Sequence, residues 1–380
     1  MRDSFKWGFL AWLALRILTM LGAAWSSATW TQGETVLPPS YRPAPLPSIA
    51  DSVVGPWLRA DAHWYLKIAE QGYEDPGAFA FMPAFPLAIR SLSWTGISSP
   101  LAAFLIANIA TLFGLVFLHA LFSSWTDRRS ARVSVMAVAL FPTSFFLVAP
   151  YAESLFLLSG SAALLLAERR RWAASGIAAF VASLSRPFGV LLILPLIGIA
   201  LKKSSRDETR FLPAAGSLGG WITWMVFVWR VQGDFLGSLR IQQVWQRSPK
   251  FFPWTVRAGF EEAARWWGTD VGPYFLTDLA VTLLLIALVP ITFMVLRKKP
   301  AGRLVGAGAA AYTAAVLIAA LSYPFSPRPL LSIPRFGLAA FPSASVAGSL
   351  PRAIAIVLGA ACAAALVVLS AAFVAARPIF

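Results

Sequence analysis

The sequence predicts an all-α, polytopic membrane protein, and three observations carry that prediction. Hydrophobic residues make up 58% of the 380 and charged residues only 13%, a composition suited to a chain whose solvent is largely lipid. Apolar runs reach the ~20 residues that a helix needs to cross a bilayer near 7–29, 100–122, 212–231, 278–296, 304–321 and 353–375. The basic residues gather in short clusters between such runs. A formal net charge of +15 would suggest nucleic acid for a soluble protein, but here positive-inside topology accounts for it, and no nucleic-acid partner is expected.

The first run has a basic start and small residues near its end, as a signal peptide does. It is too long for one and carries Arg16, so a retained first membrane helix is expected. A loop near 30–98 follows, opening on the proline-rich, extended "LPPSYRPAPLP". After the 100–122 span come shorter runs in pairs: 133–149 with 152–167, joined by "PYAES", and 172–184 with 188–201, joined by "SRPFG"; another short run covers 335–349. Paired runs broken by Pro and Gly read as hairpins whose tips end inside the protein, because irregular backbone at membrane depth survives only when buried or lining a cavity. A cavity is therefore expected, within about eleven segments in all. The second long loop, 232–277, is rich in Trp and Phe like an interfacial segment.

Orientation follows from four clusters: Arg128, Arg129 and Arg132; Arg169, Arg170 and Arg171; Lys202, Lys203, Arg206 and Arg210; Arg297, Lys298, Lys299 and Arg303. They fall in alternate short loops, which places those loops and the N-terminus in the cytoplasm and the two long loops and the C-terminus outside. The expected organisation is one integral membrane domain over 1–380, multi-pass in the cytoplasmic (plasma) membrane. Cys362 is the one cysteine and lies in an apolar run, so neither a disulfide framework nor a thiolate metal site is expected.

The sharpest candidate for chemistry is Asp61, in "RADAHWYLKIAEQGY" (59–73). Drawn as a helix at about 100° per residue, Arg59, His63, Lys67 and Glu70 share one stripe, while Trp57, Trp64, Tyr65 and Ile68 lie opposite. Asp61 falls on the aromatic side, where an ionised carboxylate must leave water unless something compensates it. It is either the N-cap of a helix beginning at Ala62 or a general base at the edge of an outward-facing cavity. No Glu or Gln stands three places on to complete a capping box.

Arg186 and Arg335 sit where apolar runs break, each beside a proline, and a charge there must face water, a partner or a ligand. Either guanidinium could hold a phosphate bidentately, or pair with Glu153 as a structural staple. Glu153 could itself serve the dipole of the helix after Pro150, bind a sugar, or orient one of those arginines. Tyr151 in the same piece, with Arg59 and His63, completes the candidate substrate-binding set, although the polar stripe also reads His63 as solvated. Arg16 is read as snorkelling. His119 reads as interfacial, and Trp266-Trp267 as a surface on which sugar could stack. Two histidines without clustered acids make no metal site. The absence of a Gly-rich phosphate loop agrees with chemistry that needs no nucleotide cofactor.

The order of pieces adds a resemblance. "DAHWYLKIAEQGY" followed by "FAFMPAFPLAIR" (79–90), then "APYAESLFLLSG" (149–160), "ASLSRPFGVLL" (182–192) and "IPRFGLAAFP" (333–342), resembles the PIG-V-like family, the GPI mannosyltransferase II group and its bacterial relatives, which are GT-C glycosyltransferases. The resemblance implies a GT-C-like membrane fold, a polyprenyl-phosphate-linked mannose donor, and Asp61 in the place of the family's catalytic Asp. Ala60 stands where eukaryotic members usually carry Trp, and His63 near where they place a second acid. Both departures weaken the case for a metal and for the same acceptor.

The reading that results is an inverting mannosyl transfer from a polyprenyl-phosphate donor to a glycan, lipid or protein acceptor outside the membrane. A transporter or lipid flippase is the alternative, and would place paired charges at the bilayer midplane in two related halves. A non-catalytic assembly partner is a third reading, in which Asp61 is dispensable. The topology is directly testable. In a Cys362→Ser background, single cysteines at Ser40 and Ser248 should react with an impermeant thiol reagent in intact cells while one at Ser204 stays unlabelled; the reverse pattern would invert the orientation.

Overall fold

The computed structural model describes residues 2–31, 33, 37–203 and 207–377, so Ser204 and Arg206 of the third basic cluster lie outside the described residues. The chain opens with α1 (Arg2–Thr29), then crosses a loop holding α2 (Ser48–Val54), α3 (Asp61–Gln71) and α4 (Ala84–Ser93). Next come α5 (Ser99–Trp125), α6 (Arg128–Ala139), α7 (Ala152–Glu168), α8 (Trp172–Ser185), α9 (Ile193–Lys202) and α10 (Leu212–Gln232). The second loop carries α11 (Gly237–Arg240) and α12 (Phe252–Arg265), and the chain ends with α13 (Gly272–Leu296), α14 (Gly302–Leu321), α15 (Ile333–Phe336) and α16 (Arg352–Val374). Among the described residues the only β pairing is the isolated bridges of Phe325 with Arg247 and Arg328.

Among the described residues, six helical stretches are long and apolar enough to cross a membrane: α1, α5, α10 with its entry turn, α13, α14 and α16. They coincide with the six long apolar runs, and the chain is a multi-pass membrane protein. The other five expected segments are helical but short, each below the length that crosses a bilayer alone. The 335–349 run breaks into α15 and an irregular 3-10 stretch, Gly337–Ser349, because Pro342 removes a backbone donor.

The paired short helices form two hairpins that turn back inside the bundle. With 12, 17, 14 and 10 residues, α6 to α9 measure about 18, 26, 21 and 15 Å at ~1.5 Å per residue, all short of the ~30 Å hydrocarbon layer. At the ends away from the hairpin tips, the loops carrying the basic clusters are tied into one face. Glu168 is buried, 2.8 Å from Lys203 and 3.6 Å from Lys202, and it accepts from the Trp125 indole at 2.9 Å. Asp127 pairs with Lys299 at 3.2 Å, and the Ala301 amide donates to the Trp125 carbonyl. The hairpin tips, at 144–151 and 185–192, lie at the other end with the C-terminal turns of α10, α14 and α16, and together these enclose a cavity.

What lets α8 and α10 approach so closely is glycine. Gly216 and Gly220 are four residues apart on α10, and a Cβ at either would run into a backbone carbonyl of α8, that of Gly176 or of Phe180. Small residues at this spacing let membrane helices pack backbone to backbone, and hydroxyls then bond across the seam. Ser183 donates to the Ser217 carbonyl and Ser217 to that of Gly189, both at 2.7 Å. This seam fixes the second hairpin, and with it Arg186, against the cavity. Gly216→Ala should therefore destabilise the protein by about 1–3 kcal/mol, the usual range for overpacking. Gly219→Ala, whose Cβ would meet only a Phe180 ring carbon at 3.8 Å, should not. Melting temperatures in detergent compare them, and equal values for both variants would deny the seam its role.

Candidate active site

The cavity measures about 700 Å³ and is lined by segments distant in sequence: Asp61 and its neighbours, residues 79–82, the two hairpin tips, α10, the 238–247 segment, the 319–336 segment and the end of α16. Its charged lining among the described residues is unbalanced. Arg59, Arg186, Arg247, Arg335 and Arg377 face it, against the carboxylate of Asp61.

Beneath the lining, Glu153 organises the site. It sits in the first turn of α7, buried, and its Oε1 accepts from Arg335 Nε and, at 2.8 Å, from Arg186 Nη1. Arg335 also donates through Nη1 to Asp61 Oδ2 at 2.5 Å. Its guanidinium carbon lies 4.7 and 4.8 Å from the ring centroids of Tyr151 and Phe146, so aromatic faces supply the rest of its solvation. The Tyr151 hydroxyl donates to the Arg59 carbonyl at 2.8 Å, pinning the residue two places before Asp61. Four residues distant in sequence, Asp61, Glu153, Arg186 and Arg335, thus form one alternating chain of charges.

Local backbone decides where Asp61 points. Helix α3 begins at Asp61 itself; Ala60 precedes it with φ 44°, a left-handed conformation that a residue with a Cβ adopts at a cost, and no side chain caps the helix. One of the two readings of Asp61 falls away here, and the drawing of 59–73 as a single helix is corrected. Asp61 is not an N-cap: Oδ2 goes to Arg335, leaving Oδ1 without a partner among the described residues. Nor is 59–73 one helix, since Trp57 closes a separate turn, Gly55–Trp57, and is buried against Phe373. A second left-handed residue, Ser332 with φ 72°, stands before α15 and so before Arg335.

Two members of the polar stripe of α3, Lys67 and His63, are not solvated as its pattern suggested, whereas Glu70 is exposed. Lys67 is buried, donating to the Pro39 carbonyl at 2.7 Å and pairing with Asp75 at 3.2 Å, because the proline-rich loop folds back over the helix. His63 is buried and does not line the cavity; its Nε2 lies 3.0 Å from the Leu58 carbonyl. Burial pushes this imidazole down to about 4, so in the folded protein it is neutral near pH 7. His119 is buried as well, six residues before the end of α5. Arg16 turns inward, 5.2 Å from the Phe104 ring centroid, rather than snorkelling outward. Trp266 stacks on Phe275 and Trp267 is exposed, both away from the cavity.

Arg59 reaches the last turn of α16, donating from Nε and Nη2 to the Val374 carbonyl at 3.0 and 2.9 Å. Two further features were not anticipated from the sequence. Arg247 and Trp245 enter the cavity wall from the second long loop, and no local pattern in "QQVWQRSPK" marks them out. Asp278 on α13 holds Arg328 through two donors at 2.7 and 2.6 Å, anchoring the segment that leads to α15. Among the described residues no three His, Cys, Asp or Glu side chains stand close enough together to hold a metal ion.

Comparison with known proteins bears out the resemblance read from the motifs. Residues 10–194 match the family described as mannosyltransferase (PIG-V), a range that includes Asp61, Glu153 and Arg186 but not Arg335. The GPI α-1,6-mannosyltransferase 2 of Rattus norvegicus is 31% identical over 170 residues, 41% of this chain and 34% of that protein. The Cricetulus griseus protein of the same name is 32% identical over 158 residues, 38% of this chain and 32% of that protein. The matched stretch thus spans about a third of the length of these relatives. An Archaeoglobus fulgidus oligosaccharyltransferase structure aligns over 95% of this chain and 53% of its own, with 14% identity and a TM-score of 0.43.

The charge chain makes Glu153 the residue whose loss the site tolerates least. Glu153→Gln keeps the shape but leaves two buried guanidiniums facing one neutral amide, and breaking a buried pair from one side typically costs about 3–5 kcal/mol. A marked fall in the detergent melting temperature is expected, and a melting temperature equal to the wild type's would show that the arginines do not depend on this carboxylate.

Proposed function

Starting from the mannosyltransferase (PIG-V) likeness of residues 10–194, we propose that this chain is a membrane glycosyltransferase. It moves mannose from a polyprenyl-phosphate donor to a glycan, lipid or protein acceptor, with inversion at the anomeric carbon. The observation that carries the reading is the position of Asp61: a carboxylate on the wall of a cavity of about 700 Å³, held by Arg335 through one oxygen and open at the other. That volume suits a small molecule with part of an apolar chain.

In this reading the acceptor hydroxyl approaches Oδ1 of Asp61. Its oxygen forms a bond to the anomeric carbon as the bond from that carbon to the phosphate oxygen breaks on the opposite face. The bonding pair leaves with the phosphate, and the hydroxyl proton goes to Asp61. Arg335 aims the carboxylate and, with the other cavity arginines, stabilises charge that grows on the departing phosphate. The cavity lies at the end of the bundle opposite the basic loops, which by the positive-inside rule supports a site on the outer side of the cytoplasmic membrane. The flippase alternative called for paired charges in two related halves. Against it, Asp61, Glu153, Arg186 and Arg335 converge on one cavity instead.

The decisive test is Asp61→Asn with labelled polyprenyl-phosphate mannose and a native membrane extract. The amide is isosteric and Arg335 keeps Glu153, so folding and donor binding should persist while the initial transfer rate falls by about 10²–10⁴, the usual worth of a general base. Transfer at nearly the wild-type rate would remove Asp61 as the base.

A further inference from the structure

Arg335 and Arg186, the arginines that the sequence singles out for phosphate, already have counter-ions. Two guanidiniums and the two carboxylates of Glu153 and Asp61 make a neutral set. Arg247 differs. It reaches the cavity wall from the second long loop, whose backbone bridges to Phe325 at this residue. Its Nη1 donates to the Tyr323 carbonyl at 3.1 Å and its Nη2 to the Ser332 hydroxyl at 3.2 Å. Its guanidinium carbon lies 5.6 Å from the centroid of the Phe336 ring, which Arg186 also approaches, at 5.5 Å. Every one of these partners is neutral, and among the described residues no carboxylate lies within ion-pairing distance of Arg247.

A half-buried guanidinium oriented by neutral acceptors, beside an apolar wall and in no ion pair, keeps its charge at a cost unless an anion arrives to meet it. Ser332, which accepts from Arg247, is the left-handed residue just before α15, so the segment that presents Arg335 also aims Arg247. The wall that continues from these residues is apolar and includes Phe79, Met82, Trp221, Trp224 and Met225. An anion bound here thus has hydrocarbon-like surface next to it.

We propose that Arg247 binds the lipid-borne phosphate: the phosphodiester of the donor before transfer and the polyprenyl monophosphate after it. This rests on the donor reading above and gives the phosphate a ligand that is not already held in an ion pair. Arg335 is then chiefly a positioning residue for Asp61, and Arg186 supports Arg335 through Glu153.

The test uses the full chain purified in detergent, with farnesyl phosphate as probe and farnesol and inorganic phosphate as controls, binding being measured by calorimetry. Wild type should bind farnesyl phosphate more tightly than either control. Arg247→Gln should weaken that binding by about tenfold or more, the worth of a hydrogen bond to a charged group, while the melting temperature of the unliganded protein stays close to that of wild type. Arg247→Lys, which keeps the charge but loses the fork, should fall between them. Equal affinity in wild type and Arg247→Gln would overturn the assignment and leave the donor reading standing. Lysine no better than glutamine would overturn it too, by showing that charge is not what matters. Inorganic phosphate bound as tightly as farnesyl phosphate would overturn the lipid-borne assignment, and no binding of farnesyl phosphate by wild type would overturn the donor reading with it.

Discussion

One carboxylate oxygen shared by two guanidiniums is the constraint around which the cavity end of this protein is arranged. Glu153 begins a helix, Arg186 ends one, and Arg335 follows a left-handed residue in a four-residue helix, so none of the three sits in regular structure on both sides. Ionised groups in a low-dielectric interior must find each other or draw in water. Finding each other here requires both hairpins to stop at the same depth, with α15 between them. The short helices, the breaks at Pro150, Pro187 and Pro334, and the glycine seam that clamps α8 to α10 all serve that convergence.

The same constraint explains where the backbone is strained. Ala60 and Ser332 hold left-handed conformations at the entries to α3 and α15, the two helices that deliver Asp61 and Arg335 to each other. Such conformations persist only where surrounding contacts over-determine them. At Ala60 those contacts are the Tyr151 hydroxyl on the Arg59 carbonyl and the Arg59 side chain on the end of α16. Aromatic packing supplies the remaining rigidity: Tyr65 meets Phe81, Phe85 and Tyr151 edge to face beneath the site.

Much of this was legible in the sequence, and the limits follow from physics. The six long helices were readable because hydrophobic length is the strongest signal that a membrane imposes. The inward hairpin tips could be read because unsatisfied backbone has few places to hide in lipid. Asp61, Glu153, Arg186 and Arg335 stood out as charges in apolar company, and the pairing of either arginine with Glu153 was already a recognised alternative. What could not be read depended on chain returning from a distance. Lys67 and His63 share a polar stripe that periodicity assigns to water, and only the fold-back of the proline-rich loop buries them. The start of α3 at Asp61 depends on a left-handed Ala60, a conformation that nothing in the local residue types announces. Arg247 is one basic residue among several in an aromatic loop, and its neighbours Tyr323, Ser332 and Phe336 lie more than seventy positions away.

Because Glu153 serves Arg186 and Arg335 with the same atom, and Arg335 passes the constraint to Asp61, these four positions do not contribute separable energies. Removing one strands the charge of another, so the loss measured at any single position includes its neighbours' desolvation, and losses from successive replacements will not sum. Replacing Glu153 and Arg186 together by apolar residues of similar volume is a smaller disturbance than removing Glu153 alone. The group therefore behaves as one energetic unit, and a scan that reads activity alone will rank all four as indispensable; only a stability measurement beside it separates the residue that does chemistry from those that hold it in place.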